Sequence, residues 1–218
     1  MKKYGIMLLI VVATFFGTVI VNAVEFDLNS KNAILYNLDE NEILYEKDSK
    51  EKIAIASMTK IMTAIVAIEN TDNLDETVIL TWTDFSGLVE ANASVAGFRF
   101  GQKVTYRDLL YGLLLPSGAD AAQALTRAIA GGRSNFVQMM NEKAKELNLE
   151  NTYFMNEIGL DEEGHYSTVE EVAKLFQYAL KNETFKEIVT TPSYTISDNS
   201  LTCRLYTYPS PLDRQKER

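Results

Sequence analysis

The sequence predicts an α+β domain in which a small antiparallel sheet and several helices surround one buried helix. A β-hairpin is predicted over residues 33–47, because two short β-prone runs flank the turn residues Asp39-Glu40-Asn41. The stretch 54–69 predicts a helix that is apolar on nearly every side, which is typical of a helix in the middle of a domain. Helix signals dominate residues 105–180, so we expect helices packed on the sheet and a mainly helical lobe.

Capping signals predict four further helices. Thr105 and Asp108 form a capping box that opens a helix, and Pro116 breaks that helix. The other three are expected to begin at polar caps, with Asp120 before residues 121–130, Ser134 before a helix to about residue 147, and Ser167 with Glu170 before a helix to about residue 180.

The composition is that of an ordinary globular protein and argues against a polyanionic partner. A chain of 218 residues can bury a sizeable core and is expected to form one domain. A formal net charge of −9 leaves no basic stripe to neutralise phosphates, so no nucleic-acid partner is expected. Cys203 is the only cysteine, which excludes an intramolecular disulfide framework. No residues have metal-ligand spacing, and no cofactor is expected.

Residues 1–23 are predicted to be a signal peptide. Lys2 and Lys3 precede an apolar run at residues 6–21, and Val21-Asn22-Ala23 offers small residues where a signal peptidase reads the chain. An uncleaved membrane anchor is the alternative, because the run approaches the ~20 residues needed to span a bilayer. Either way, the domain at residues 24–218 is expected outside the cytoplasm, in the cell envelope or secreted, and membrane association stays open.

Ser57 and Lys60 are a candidate nucleophile and base at the head of the buried helix. Residues three apart share one helix face, so the two side chains are expected to point to the same place. Partial burial disfavours the charged form of a lysine and can make it a base. The alternative is that Ser57 caps the helix and Lys60 extends its long side chain to the surface. Ser-x-x-Lys alone does not decide between these interpretations.

A second hydroxyl group lies at the break between two helices, in Pro116-Ser117-Gly118. Such a turn can project Ser117 into a cleft, where its hydroxyl could pass a proton between a lysine and a leaving group. The alternative is a helix connection in which Ser and Gly serve the turn geometry. His165, the only histidine, is interpreted as a loop or packing residue, which argues against a Ser-His-Asp triad.

Taken together, these stretches resemble the serine D-alanyl-D-alanine carboxypeptidases, which are low-molecular-mass penicillin-binding proteins. The resemblance runs from the hairpin to about residue 190. It rests on Ala56-Ser57-Met58-Thr59-Lys60, on residues 111–118 followed by Asp120-Ala121-Ala122, and on residues 156–160 and 165–168.

The resemblance implies a β-lactamase/transpeptidase-like fold and a role for each of three residues. Ser57 would attack the carbonyl group between the two terminal D-alanines of a peptidoglycan stem peptide and form an acyl-enzyme. Lys60 would accept the Ser57 proton, and Ser117 would relay a proton towards the departing D-alanine. β-Lactams are expected to acylate Ser57 as covalent inhibitors.

The sequence departs from the family pattern in two places. Family members usually have Asn two residues after the second serine, whereas this chain has Ala119. Gly118 and Ala119 are therefore only weak candidates for substrate binding, and the missing Asn hydrogen bond is expected to alter how the substrate binds. The family's Lys-Thr-Gly strand is missing, because no glycine follows Gly164. The sequence therefore predicts a C-terminally truncated member whose sheet is incomplete.

Two other functions stay open at this point. The first is a serine β-lactamase of the same fold, although we find no matching motif for a glutamate that primes the deacylating water. The second is a non-catalytic remnant that binds wall peptide or has no activity. The exact stem peptide and any endopeptidase or transpeptidase activity are not predicted.

Overall fold

The computed structural model describes residues 28–205, so the predicted signal peptide lies outside the described residues. The chain divides into two units, and every element below belongs to the second, Asn32–Arg218. Between residues 28 and 205, no helix combines the length and the apolar character needed to cross a membrane.

Six α-helices and three antiparallel strand pairs form the described part of the second unit, which confirms the predicted α+β class. The strands are β1 (Ala33–Asn37), β2 (Glu42–Lys47), β3 (Thr77–Ile79), β4 (Lys103–Thr105), β5 (Ser193–Thr195) and β6 (Thr202–Arg204). The helices are α1 (Thr59–Glu69), α2 (Tyr106–Leu114), α3 (Ala119–Ala130), α4 (Arg133–Glu146), α5 (Val169–Ala179) and α6 (Glu183–Thr190).

Each strand pairs with one antiparallel neighbour, so over residues 28–205 the sheet is incomplete, as expected. The predicted hairpin is confirmed as β1 and β2, with a register shift between Leu35 and Tyr36. Strand β3 pairs with β4 across the irregular stretch 80–102, and β5 pairs with β6.

Helix α1 lies at the centre of the helices and packs against all five others. A helix that is surrounded by other helices needs apolar residues on all of its faces and not on one face only. This explains why the sequence of α1 is apolar on nearly every side. Met62, Ile65 and Val66 are buried there, and each stabilises the fold by about 1.5–3 kcal/mol. The predicted buried helix is confirmed, but α1 begins at Thr59 because residues 56–58 form a 3₁₀ turn.

The predicted capping box at the start of α2 is confirmed. The Asp108 N–H group donates to Thr105 Oγ1 at 3.0 Å, and the Asp108 carboxylate accepts from the Thr105 N–H group at 2.9 Å. This pair satisfies two of the amide groups that a helix start otherwise leaves without partners.

The prediction that Asp120 caps α3 is wrong. Helix α3 begins at Ala119, its N-cap is Gly118, and no side chain caps it. The Asp120 carboxylate instead accepts from the N–H groups of residues 96–98 at 2.8, 3.0 and 3.2 Å. Three amide donors stabilise a buried carboxylate better than one local capping bond, so the long-range partners prevail.

The two remaining predicted caps are also corrected. The N-cap of α4 is Gly132, so Ser134 lies inside the first turn of that helix. The cap of α5 is Thr168, which accepts from the Glu171 N–H group at 3.1 Å. Ser167 pairs its hydroxyl with Thr152 at 2.7 Å and so does not cap the helix.

Candidate active site

Ser57 lies in the 3₁₀ turn Ala56–Met58, directly before α1, and its side chain is exposed. Ala56 has φ +45°, a left-handed conformation that costs a non-glycine residue about 1–2 kcal/mol. The turn lies against Gly159, where a Cβ atom would come within 2.0 Å of the Ala56 carbonyl oxygen. Close contact with a loop far along the chain therefore holds the strained serine turn in place.

Lys60 lies one turn further on and contacts both the serine and the same loop. Its Nζ atom donates to Ser57 Oγ at 3.2 Å and to the Ile158 carbonyl oxygen at 2.8 Å. The side chain is 5% exposed, and burial lowers the pKa of Lys60 to about 8 against the opposing pull of Glu157 and Asp120. A neutral Lys60 can keep its bond to Ile158 and turn its lone pair towards the Ser57 hydroxyl.

The structure thus brings together Ser57 and Lys60, and it removes both simple alternatives. Lys60 does not reach solvent, because its ammonium end is enclosed and hydrogen-bonded. Ser57 does not cap α1, since the N-terminus of that helix has no side-chain cap. The catalytic roles of the two residues stay predictions.

The loop at residues 156–160 is held on α1 by two consecutive carbonyl groups. Thr63 Oγ1 donates to the Glu157 carbonyl oxygen at 2.7 Å, and Lys60 donates to the next one. The buried Asn156 side chain closes the loop on itself, since its Oδ1 atom accepts from the N–H groups of Gly159 and Leu160 at 2.8 and 3.0 Å. The loop is therefore a rigid wall beside Lys60.

The carboxylate of Glu157 points away from this contact and is already occupied. It is 1% exposed and pairs with the Arg133 guanidinium, which donates from Nε at 2.9 Å and from Nη2 at 3.3 Å. Both carboxylate oxygens accept from one planar fork, an arrangement that gives strong and directional ion pairs. Glu157 is therefore an anchor of the loop.

Ser117 lies in the turn between α2 and α3, in an unusual backbone state. Its φ is +62°, and its Oγ atom is buried without a hydrogen-bond partner among the described residues. It therefore bonds to neither Ser57 nor Lys60. Helix α3, which follows the turn, packs against α1, and the charge of Asp120 in its first turn acts to raise the pKa of Lys60.

Gly118 and Ala119, the predicted substrate-binding residues, are both buried. The Gly118 N–H group donates to the Gly112 carbonyl oxygen at 3.0 Å, and the Ala119 N–H group donates to the Ser94 carbonyl oxygen at 2.8 Å. A Cβ atom at Gly118 would lie 2.6 Å from that Gly112 oxygen, so a larger residue does not fit. Their role in binding stays a prediction.

Sequence reasoning missed the residues that support this site, namely Asp120 as an anchor, Glu157 with Arg133, and His165 with Thr59. His165 was interpreted as a loop or packing residue, and it is indeed buried at 5% exposure. Its Nε2 atom, however, lies 2.8 Å from Thr59 Oγ1, next to the catalytic candidates. Only the family block at residues 165–168 pointed to that region. Within residues 28–205, no cluster of three metal-ligating side chains is found.

A serine and a buried lysine one turn apart are the arrangement of serine peptidases that use a lysine as base. The profile of the D-alanyl-D-alanine carboxypeptidase family matches residues 19–212, and the chain belongs to this family.

Two curated relatives are similar over most of this chain. The D-alanyl-D-alanine carboxypeptidase DacF of Bacillus subtilis is 37% identical over 175 residues, covering 78% of this chain and 44% of the relative. A D-alanyl-D-alanine carboxypeptidase of Streptomyces is 38% identical over 159 residues, covering 70% and 55%. The chain therefore spans about half the length of these relatives.

Solved structures share the fold. The crystal structure of a Streptomyces DD-transpeptidase has a TM-score of 0.77 at 32% identity, covering 88% of this chain and 78% of that one. Penicillin binding protein 6B from Escherichia coli has a TM-score of 0.70 at 30% identity, covering 77% and 54%. The predicted transpeptidase-like fold is confirmed.

Proposed function

We propose that the protein is a serine D-alanyl-D-alanine carboxypeptidase that removes the terminal D-alanine from peptidoglycan stem peptides. One observation carries this proposal: the exposed Ser57 hydroxyl lies 3.2 Å from the amine of the buried Lys60. Family membership and the names of the relatives support the same substrate class.

The reaction begins with the attack of Ser57 Oγ on the carbonyl carbon between the two D-alanines. Lys60, in its neutral form, takes the Oγ proton as the new C–O bond forms. The tetrahedral intermediate collapses, the C–N bond breaks, and the departing D-alanine amine takes up a proton through Ser117. Water then hydrolyses the ester, which releases the shortened peptide and restores the Ser57 hydroxyl.

The burial of Lys60 sets the pH range in which this step can run. With its pKa lowered to about 8, roughly one molecule in ten has a neutral lysine at pH 7, whereas an ordinary lysine would be almost wholly charged. Acylation should therefore rise with pH in parallel with the neutral fraction, reach half its maximum near pH 8 and level off about one pH unit higher.

The β-lactamase alternative finds less support. Glu157, whose charge acts on Lys60, is bound by Arg133 through both carboxylate oxygens and is not free to activate water. The similar proteins described above are carboxypeptidases, a transpeptidase and a penicillin binding protein. We therefore expect β-lactams to acylate Ser57 and to be released slowly.

We also propose that the protein is exported to the cell envelope, where it acts in peptidoglycan maturation. The positive start and apolar run of residues 1–23 support export, and so does the extracytoplasmic substrate of the family. Mass spectrometry of the protein from cells should give a mature chain that begins at Val24. A chain that keeps its first residues would favour the anchored alternative.

Labelling with fluorescent penicillin tests the activity. The purified protein should form a covalent adduct that boiling in detergent does not remove, and Ser57→Ala should form none. D-Alanine release from a synthetic stem pentapeptide should depend on Ser57 in the same way. Thr126→Val serves as the matched control, since it removes a buried hydroxyl on α3. If no label depends on Ser57, the non-catalytic alternative would be favoured.

A further inference from the structure

His165 bridges the base-bearing helix and the segment that leads into the loop at residues 156–160. Its Nε2 atom lies 2.8 Å from Thr59 Oγ1 on α1, and its Nδ1 atom accepts from the Met155 N–H group at 3.1 Å. Thr59 directly precedes Lys60, and Met155 directly precedes the loop. One imidazole ring thus ties together the two segments that enclose the lysine.

The donor at Met155 fixes which tautomer the ring adopts. An N–H group that donates to Nδ1 requires a lone pair there, so the hydrogen of the neutral ring is on Nε2 and is donated to Thr59 Oγ1. A charged ring would present a hydrogen to the Met155 donor and lose that bond. Only the neutral ring makes both contacts.

The surroundings of the ring favour this neutral form. Thr59 is fully buried, and the ring packs edge-on against Phe154 with centroids 5.8 Å apart. Burial lowers the pKa of His165, while the carboxylates of Glu162 and Asp161 act in the opposite direction. At neutral pH the bridge is therefore intact.

We propose that His165 is a positioning residue, which holds the loop at residues 156–160 against α1 through Thr59 and Met155 and so keeps Lys60 enclosed and aligned with Ser57. This role rests on the proposed function for its effect on activity. It follows from geometry, because the loop supplies the Ile158 carbonyl oxygen that receives the Lys60 amine. Loosening the loop would admit water to the lysine and lengthen that contact.

The test compares two isosteric substitutions in two buried helices. Thr59→Val removes the hydroxyl that His165 contacts. Thr126→Val removes a hydroxyl on α3 that has no partner among residues 28–205, and Thr126 is 3% exposed. Thr59→Ser retains the hydroxyl and is the conservative rescue. His165→Leu removes the bridge from the other side, and thermal melts show which variants fold.

Acylation by fluorescent penicillin is the first readout. We expect Thr59→Val and His165→Leu each to slow it about tenfold, and the double variant to be no slower than either, since the residues act through one link. In D-alanine release, kcat should fall with little change in KM. Thr59→Ser and Thr126→Val should stay within about twofold of wild type. A Thr59→Val protein that acylates at the wild-type rate, or losses that multiply in the double variant, would overturn the proposal.

The second readout is the titration of Lys60, followed by carbon-13 NMR of lysine Cε, with Lys60→Met identifying the resonance. The midpoint of about 8 should rise towards 10.5 by one unit or more in Thr59→Val and His165→Leu. If wild type takes no penicillin label, the proposed function fails while this titration still decides on the bridge. An unchanged midpoint in both variants would refute the bridge whatever the label shows.

Discussion

The two turns that carry Ser57 and Ser117 differ in whether the serine hydroxyl has a hydrogen-bond partner. The turn with Ser57 is held at two points, because Lys60 donates to the serine and Gly159 lies against Ala56. The turn with Ser117 has an equally strained backbone, but its hydroxyl has no partner among the described residues. A buried hydroxyl without a bond costs about 1–3 kcal/mol. If Ser57 is the nucleophile, as proposed, it is aligned in advance, whereas Ser117 would gain a hydrogen-bond partner only from the substrate.

Replacing Lys60, the proposed base, should have the largest effect on acylation of Ser57. Lys60→Met keeps the length and volume of the side chain but has no group to accept the Ser57 proton. Acylation should fall by about 10²–10⁴-fold, the usual contribution of a general base. The free energy of unfolding should change by less than about 3 kcal/mol, because the gain from removing a buried amine is offset by the loss of its hydrogen bond to the Ile158 carbonyl oxygen. Rates with fluorescent penicillin and urea melts measure the two effects.

Lys186→Met, on the exposed surface of α6, is the control for the charge change. It should alter neither quantity measurably. A Lys60→Met protein that acylates within tenfold of wild type would show that another group accepts the proton.

Gly159→Ala should distort the serine turn from outside. The added Cβ atom would lie 2.0 Å from the Ala56 carbonyl oxygen, so the turn or the loop must move. Gly101→Ala is the matched control, since φ is +74° there, against +82° at Gly159, and a Cβ atom meets nothing within 4 Å. We expect Gly101→Ala to cost about 1 kcal/mol of unfolding free energy from the backbone alone.

Gly159→Ala should cost at least about 3 kcal/mol and slow acylation at least tenfold, because it adds overpacking to the same backbone strain. Equal losses of stability in the two variants would mean that the contact with Ala56 contributes nothing. Urea melts and penicillin labelling report both quantities.

In the turn that carries Ser117, we expect substitutions to lower activity without lowering stability. Ser117→Ala removes a hydroxyl without a partner and should leave the unfolding free energy unchanged or slightly higher. Ser117→Gly also relieves φ +62° and should add up to about 1 kcal/mol. Both variants should slow D-alanine release about 10²-fold if Ser117 relays a proton. Unchanged release with higher stability would make Ser117 a turn residue only.

The smallest expected effect is the pH dependence of stability contributed by His165. Burial lowers its pKa in the folded state below the ordinary value of 6.5, so the unfolded chain binds more protons between the two values. Stability should therefore fall as the pH drops below about 6.5. In thermal melts between pH 7 and 5, His165→Leu should lose less than wild type over this window. Parallel curves for the two proteins would contradict the shift.

Local signals explain why part of this fold was predictable from the sequence. The Thr105 capping box and the continuous apolar pattern of α1 lie within a few residues of the groups they serve. The spacing of Ser57 and Lys60 likewise predicted the contact between the hydroxyl and the amine. The error at Asp120 has the opposite origin, because its partners at residues 96–98 lie more than 20 residues away. His165 and Thr59 are 106 residues apart, and no periodic pattern links such a pair.

The central position of α1 has a consequence for synthesis. Its last partner, α6, begins more than a hundred residues later in the chain, at Glu183. At about 5–20 residues per second, the ribosome completes α6 roughly 6–24 seconds after α1. During that interval a helix apolar on all sides has an uncovered surface, which favours capture by chaperones or association with other nascent chains. The helix that follows the Ser57 turn is thus made early and is among the last to be fully enclosed.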